Sequence, residues 1–318
     1  MLEVKNLSKH FEVPGRKDKF VHAVDNVSFK IDKGKTLGLV GESGCGKSTC
    51  ARTIIRIHEP TSGEIFLDGD NITKLSQKEL LPYRKKIQMI FQDPYASLNA
   101  RMTVRDIIAE PLVAHNITNN KNEQNEIIEE ILNQVGLSRE HLTRYAHEFS
   151  GGQRQRIGIA RALILKPDVI ICDEPISALD VSIQAQIINL LIEFQEKLNL
   201  TYLFIAHDLS MVKYVSDTVG VMYLGELVEL DEGEDIYRSP LHPYTKGLLS
   251  SIPLPDPTNK SIDREAGIEG DIPSPIDPPT GCRFHTRCRY KMDICKEVKP
   301  EFKEVAPKHF VSCHLYNK

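Results

Sequence analysis

The stretch TLGLVGESGCGKST, residues 36–49, narrows the folds open to this chain more than any other. An apolar run leads into GESGCGKS, Gly41 to Ser48, which matches the spacing GxxxxGKS, and a helical segment opens at Lys47. In such a turn the backbone amides and the helix N-terminus point at an anion, Lys47 reaches the β and γ phosphates, and Ser48 ligates magnesium. Gly41, Ser43, Gly44, Cys45, Gly46, Lys47, Ser48 and Thr49 are the expected nucleotide-binding residues. The motif calls for a nucleoside triphosphate and says nothing more about the reaction.

The surrounding pattern supplies the fold class. LEVKNLSKHFEV, VHAVDNVSFKI and KTLGLVG read as strands. From Lys47 the sequence reads as helical, and later segments alternate helix with short apolar strands such as DVIICD and TYLFIAHD, as an α/β sheet requires. Residues 121–137 place Ile127, Ile128, Ile131, Leu132 and Val135 at helical spacing, so an amphipathic helix is expected inside a helical insertion at about 95–165. Seven prolines between 253 and 279 mark a linker or extended loop, and a cysteine-rich tail follows. No internal repeat and no long heptad array is present.

VIICDE, residues 169–174, ends an apolar strand in Asp173, placed to hold Mg²⁺ through water, with Glu174 next to orient or activate the attacking water. Ahead of it stands FSGGQRQRIGIARAL, residues 149–163, where Ser150, Gly151, Gly152 and Gln153 open a helix with a hydroxyl and free amides facing outward. This run resembles the signature of ATP-binding-cassette (ABC) ATPases, with Phe149 where the family usually has Leu. The resemblance implies a P-loop NTPase nucleotide-binding domain with a RecA-like core, an antiparallel β subdomain and a helical subdomain. It also implies further stations in order: Phe11 stacking on adenine, Gln92 in IFQD contacting Mg²⁺, Asp180 in SALD at the dimer interface, and His207 in FIAHD contacting the γ phosphate. The implied mechanism is ATP hydrolysis in a head-to-tail pair of cassettes, each ATP held by one subunit's P-loop and the other's signature helix. Glu174, Gln92 and His207 are the expected catalytic group, and Mg²⁺ falls to Ser48, Gln92 and Asp173.

QMIFQDPYASLNARMTVRDIIAEPL, LHPYTKGLLSSIP, IEGDIPSP and GCRFHTRC resemble the oligopeptide and dipeptide importer branch. That branch implies two integral membrane permease subunits on separate chains, a second ATPase subunit, identical or related, and an extracytoplasmic peptide-binding protein. Nickel and glutathione importers share the pattern and remain alternatives, as does a soluble ABC ATPase of repair or translation. Tyr95 and Leu98 are expected near the groove that receives a short helix from the membrane partner, or else in the core of the helical insertion. The division expected is 1–252 for the ATPase and 253–318 for linker and extension.

Composition sets the location. A formal charge of -4 argues against a nucleic-acid binder with a broad positive face. The N-terminus lacks a basic stretch followed by an apolar core, and no apolar run approaches the ~18 residues a bilayer requires. The expected place is the cytoplasmic face of the cell membrane, through partners. A reducing compartment makes clustered cysteines metal ligands more often than disulfides. Cys282, Cys288, Cys295 and Cys313 are separated by five, six and seventeen residues, without the tight CxxC pair common at zinc sites. By resemblance to the dipeptide branch they hold a 4Fe-4S cluster, with Zn²⁺ at the same cysteines as the rival. Cys45, Cys50 and Cys172 read as small packing residues.

Overall fold

The structure is a computed structural model and describes residues 1–118, 120–251 and 268–316. Its elements begin with β1 (Leu2–Val13), β2 (Arg16–Ile31), β3 (Thr36–Val40), α1 (Lys47–Ile54), β4 (Ser62–Leu67), β5 (Asp70–Asn71), α2 (Gln77–Lys86) and β6 (Ile87–Ile90). There follow α3 (Val104–Ala114), α4 (Lys121–Gln134), α5 (Gly151–Leu163), β7 (Val169–Asp173), α6 (Val181–Leu198), β8 (Thr201–Ile205) and α7 (Leu209–Val215). The chain closes with β9 (Thr218–Tyr223), β10 (Glu226–Glu232), α8 (Asp235–Arg238), α9 (Pro243–Ser250), α10 (Ile294–Glu297), β11 (Lys303–Ala306) and β12 (His309–Val311). Two compact units result, one of Met1–Leu2, Ile31–Lys35 and Lys74–Ile205, the other of Glu3–Lys30, Thr36–Thr73 and Ala206–Lys318.

In the first unit β6, β7 and β8 run parallel, with Ile87 opposite Val169 and Val169 opposite Thr201. Every residue of β7 and β8 is buried, as parallel strands covered on both faces must be. Between Ile90 and Val169 the described elements are all helical, and α3, α4 and α5 pack on one another. The expected amphipathic helix is α4, which Asn120 caps by accepting from Asn122 N–H. Ile128, Ile131, Leu132 and Val135 are buried as the spacing predicts, while Ile127 is only half-buried.

The second unit carries a four-stranded sheet in the order β2-β1-β4-β5, with β5 antiparallel to β4. The helical reading from Lys47 ends at Ile54, and the hairpin β4–β5 that follows is absent from the sequence expectations. Its signal was the Asp68-Gly69 pair: both take positive φ, 54° and 91°, the geometry that matches a two-residue turn to strand twist. The same unit holds β3 parallel to β9, then β10 antiparallel to β9, β12 antiparallel to β10, and β11 outermost. Thus the tail contributes two strands to the edge of β10. Of the proline-rich stretch 253–279, residues 253–267 lie outside the described residues.

Charge fastens that edge. Glu229 on β10 is fully buried and accepts from His309 Nε2 at 2.8 Å, Leu241 N–H at 2.7 Å and His242 N–H at 2.9 Å. His309 Nδ1 stands 3.0 Å from Asp231 Oδ2, an ion pair without hydrogen-bond alignment. Burial pulls the His309 pKa down, but the Glu229 hydrogen bond and the Asp231 charge outweigh it, and the net shift is upward. Burial likewise raises Asp231. A histidine raised on folding contributes in full below its unfolded pKa of about 6.5 and loses that contribution as pH climbs through the folded value. His309→Gln should therefore cost about 1–3 kcal/mol at pH 6, and the gap to wild type should narrow by pH 8.5. Denaturant unfolding at both pH values measures it; a gap that does not change with pH would remove the ion pair from this role.

Candidate active site

The phosphate loop leaves β3 at Val40 and turns through two glycines that have no room for a side chain. At Gly41, φ 152°, a Cβ would stand 2.1 Å from Met222 O; at Gly46, φ 106°, it would stand 2.0 Å from Ala23 O. Gly46 caps α1 without any side-chain acceptor, and no acidic residue occupies the first turn, so the helix amides there are directed at whatever anion the loop receives. Ser43 and Gly44 are exposed, Cys45 is buried, and Ser48 and Thr49 are half-buried in the first turn. Lys47 is only 4% exposed; its ammonium donates to Gly41 O at 2.7 Å and Glu42 O at 3.0 Å, which keeps the charge inside the loop. Phe11, in the same unit, presents its ring edge-on to His58 at 5.3 Å with Lys9 above it at 4.8 Å. His207 lies in this unit as well and is exposed.

The other unit holds the carboxylates. Asp173 ends β7 fully buried. Glu174 follows with φ 45°, a left-handed conformation costing a non-glycine residue about 1–2 kcal/mol. Its N–H donates to Ile205 O at 3.0 Å, and its carboxylate accepts from Gln92 Nε2 at 2.8 Å. Two expected catalytic residues 82 positions apart are thus brought into direct contact.

Ser150 caps α5 in a reciprocal box: its hydroxyl accepts from Gln153 N–H at 3.4 Å, and Gln153 Oε1 accepts from Ser150 N–H at 3.1 Å. The hydroxyl expected to face outward is therefore also a cap, and Ser150 itself is exposed. Gly152 is buried where a Cβ would meet Ile183 Cγ2 at 2.6 Å, while Gly151 lies beside Tyr95. Tyr95 is 54% exposed with the Arg154 guanidinium 4.1 Å over its ring, whereas Leu98 is buried. Asp180 caps α6, accepting from Ser182 Oγ at 2.7 Å and Ile183 N–H at 3.1 Å, and those bonds lower its pKa.

The cysteine-rich tail is anchored to the phosphate loop's own unit. Phe284 enters an aromatic cluster with Tyr223, Tyr244 and His242 at centroid distances of 5.2–5.6 Å. Arg287 grips Glu42 of the phosphate loop with two hydrogen bonds of 2.7 and 3.0 Å, and Tyr244 Oη accepts from Glu42 N–H at 2.8 Å. Arg283 pairs with Asp25 and, at 2.9 Å, with Glu226. Sequence reasoning missed these arginines because it read GCRFHTRC for its cysteines; Arg283 and Arg287 four apart around Phe284 were the available signal.

In the tail of four cysteines, Met292 N–H donates to Cys295 Sγ at 3.5 Å. Burial first, then the neighbouring cysteines, pushes Cys282 up to about 12 and Cys313 up to about 11. The backbone ties two of them directly, Cys282 N–H donating to Cys295 O at 2.8 Å. Cys45, Cys50 and Cys172 are buried as packing residues, and burial pushes the Cys50 thiol up to about 12.

Among the described residues no helix is long and apolar enough to cross a membrane. Residues 24–177 match the family described as ABC transporter, and residues 228–295 match the oligopeptide/dipeptide transporter C-terminal region. The oligopeptide transport ATP-binding protein AppF of Bacillus subtilis is 57% identical over 325 residues, spanning 100% of this chain and 98% of its own. OppF of the same organism, also named an oligopeptide transport ATP-binding protein, is 55% identical over 98% of this chain and 96% of its own. Among solved structures, the dimeric post-hydrolysis state of the cassette MJ0796 bound to ADP and Pi superposes with a TM-score of 0.66 at 28% identity, over 73% of this chain and 98% of that one. With the phosphate loop, the Gln92–Glu174 pair and the capped SGGQ helix in place, the chain belongs to the ATP-binding subunits of the ABC transporter family, in the branch that carries the oligopeptide/dipeptide transporter C-terminal region.

Proposed function

We propose that this chain hydrolyses ATP to power import of di- and oligopeptides through two separate membrane permease subunits, at the cytoplasmic face of the membrane. The Gln92–Glu174 contact at 2.8 Å carries the catalytic part of this reading. The names of the 55–57% identical relatives support the cargo. The same machinery would serve nickel or glutathione import unchanged, because the ATPase does not touch the cargo. An extracytoplasmic peptide-binding protein would deliver it. We assign residues 1–252 to the ATPase and 253–318 to linker and extension, and a second cassette, identical or related, to the working assembly.

In the unit that holds the phosphate loop, Gly41 to Thr49 surround the phosphates with backbone amides and Lys47 answers their charge. Phe11 is assigned to the adenine and His207 to the γ phosphate. In the other unit Glu174 orients the attacking water, or takes its proton, with its carboxylate steadied by Gln92. Asp173, a buried carboxylate at a strand end, has the chemistry to hold Mg²⁺, and Gln92 and Ser48 are assigned as further holders. When bound, Mg²⁺ neutralises charge on the phosphate oxygens. Ser150, Gly151, Gly152 and Gln153 are assigned to the nucleotide of the partner cassette and Asp180 to the cassette interface. Exposure of Ser150 and the absence of an acidic residue in the first turn of α5 suit that assignment.

For the tail we propose a 4Fe-4S cluster held by Cys282, Cys288, Cys295 and Cys313. Four cysteines gathered in one short tail, with Cys282 N–H bonded to Cys295 O at 2.8 Å, supply the number of sulfur ligands such a group requires. A single zinc at about 2.3 Å from each sulfur needs sulfurs roughly 3.8 Å apart, and no three of these four lie within 4.8 Å of one another. When bound, the cluster would staple four short segments that have little core of their own.

Glu174→Gln should keep ATP binding and lower turnover about 10²- to 10⁴-fold, measured by nucleotide binding and phosphate release; near-normal turnover would take Glu174 out of the role. Protein purified without oxygen should contain iron and acid-labile sulfide in similar amounts, both lost in Cys288→Ser. Zinc without sulfide would replace the cluster by a zinc site.

A further inference from the structure

His10, His22 and Asp25 converge on the β1–β2 pair, away from the cysteines. Their ligating atoms, one from each residue, all lie within 4.8 Å of one another. His10 Nε2 is 4.0 Å from Asp25 Oδ1, His22 Nδ1 is 3.8 Å from Asp25 Oδ2, and the two rings are 4.2 Å apart. Those same two nitrogens are buried and have no hydrogen-bond partner. Leaving buried polar atoms unsatisfied is costly, so a shared partner for both is a gain.

The backbone is shaped to make this trio. Residues three apart on a regular strand point to opposite faces, yet His22 and Asp25 face each other. Around Asp25 the strand leaves regular geometry: Asp25 N–H donates to Gly225 O at 2.8 Å, and Asn26 follows at φ 57°. His22 is held from its main chain by donation to Pro275 O at 2.9 Å, and His10 by donation to Thr61 Oγ1 at 2.9 Å. Arg283 binds Asp25 through Oδ2, the outer-shell contact that orients a ligating carboxylate, and is itself offset by Glu226.

We propose that His10, His22 and Asp25 form a binding site for one divalent transition-metal cation of the zinc type. Two imidazoles and a carboxylate are the donor set such borderline cations prefer. A cation at the centre of a triangle of this size lies roughly 2.3–2.8 Å from each atom, against ordinary Zn–N and Zn–O lengths of about 2.0–2.2 Å. Side-chain rotation that draws each atom inward by roughly 0.1–0.8 Å closes that difference. The three side chains are 23–31% exposed as a whole, while the two ligating nitrogens themselves are buried.

The test uses the full-length protein, with the metal content of the tail measured first. Zn²⁺ is titrated by calorimetry into wild type, His10→Ala and His22→Ala without oxygen, and Co²⁺ is titrated into wild type as a spectroscopic probe. The expected result is one Zn²⁺ per chain beyond the tail's content, bound at least tenfold more weakly in each variant. The Co²⁺ complex should show ligand-field bands free of thiolate charge transfer. Equal Zn²⁺ binding in all three proteins, no Zn²⁺ beyond the tail's content, or a Co²⁺ spectrum with thiolate bands alone would each overturn the site. The wild-type Co²⁺ spectrum decides the matter even if a variant fails to fold.

Discussion

Burial of the parallel strands on both faces is the constraint from which the rest follows. Strands such as β3, β7 and β8 have every residue buried, so they can carry polar chemistry only where they end. β3 gives way to the phosphate loop, β7 finishes in Asp173 and Glu174, and β8 leads through Ala206 to His207. Ligand chemistry at the carboxyl ends of parallel strands is the general consequence. Glu174 shows how tightly the strand end is drawn: it accepts a left-handed φ of 45°, while its amide is tied to Ile205 and its carboxylate to Gln92.

The chemistry was legible where it depends on local order. GESGCGKS needs its glycines because neighbouring carbonyls, Met222 O and Ala23 O, leave no space for a Cβ. SGGQ could be read as a helix start, and Ser150 and Gln153 indeed close a capping box. The buried face of α4 followed from periodicity, with Ile127 at its margin. The β4–β5 hairpin escaped because β4 is only six residues long and buries just Ile65 and Leu67, too short an alternation to stand out, and Asp68-Gly69 was the turn signal.

What sequence could not give was long-range closure. Arg287 and Glu42 are 245 residues apart, and Arg283 and Asp25 are 258 apart. Charge alone does not pick such partners from a chain with 40 basic and 44 acidic residues. Burial does, since a buried guanidinium must find a carboxylate. The same reasoning explains Glu229: surrounded by His309 and two main-chain amides, it is a charge retained in the interior because three donors meet it there. Neither the arginines nor the histidine belongs to a nucleotide motif, yet they determine where the cysteine-rich tail sits.

The tail strands also alter how the chain would behave in pieces. β12 covers the hydrogen-bonding edge of β10, with Glu229 opposite Val311 and Leu230 opposite Phe310. Removing it would bare a row of unpaired amides and carbonyls on a strand whose residues are mostly buried. Withdrawal of Phe284 would at the same time uncover Tyr223 and Tyr244. A cassette cut back to its nucleotide motifs would therefore be an adhesive particle, prone to add strands from its neighbours. The strands and aromatic anchor of the tail are in this sense the protein's protection against its own aggregation.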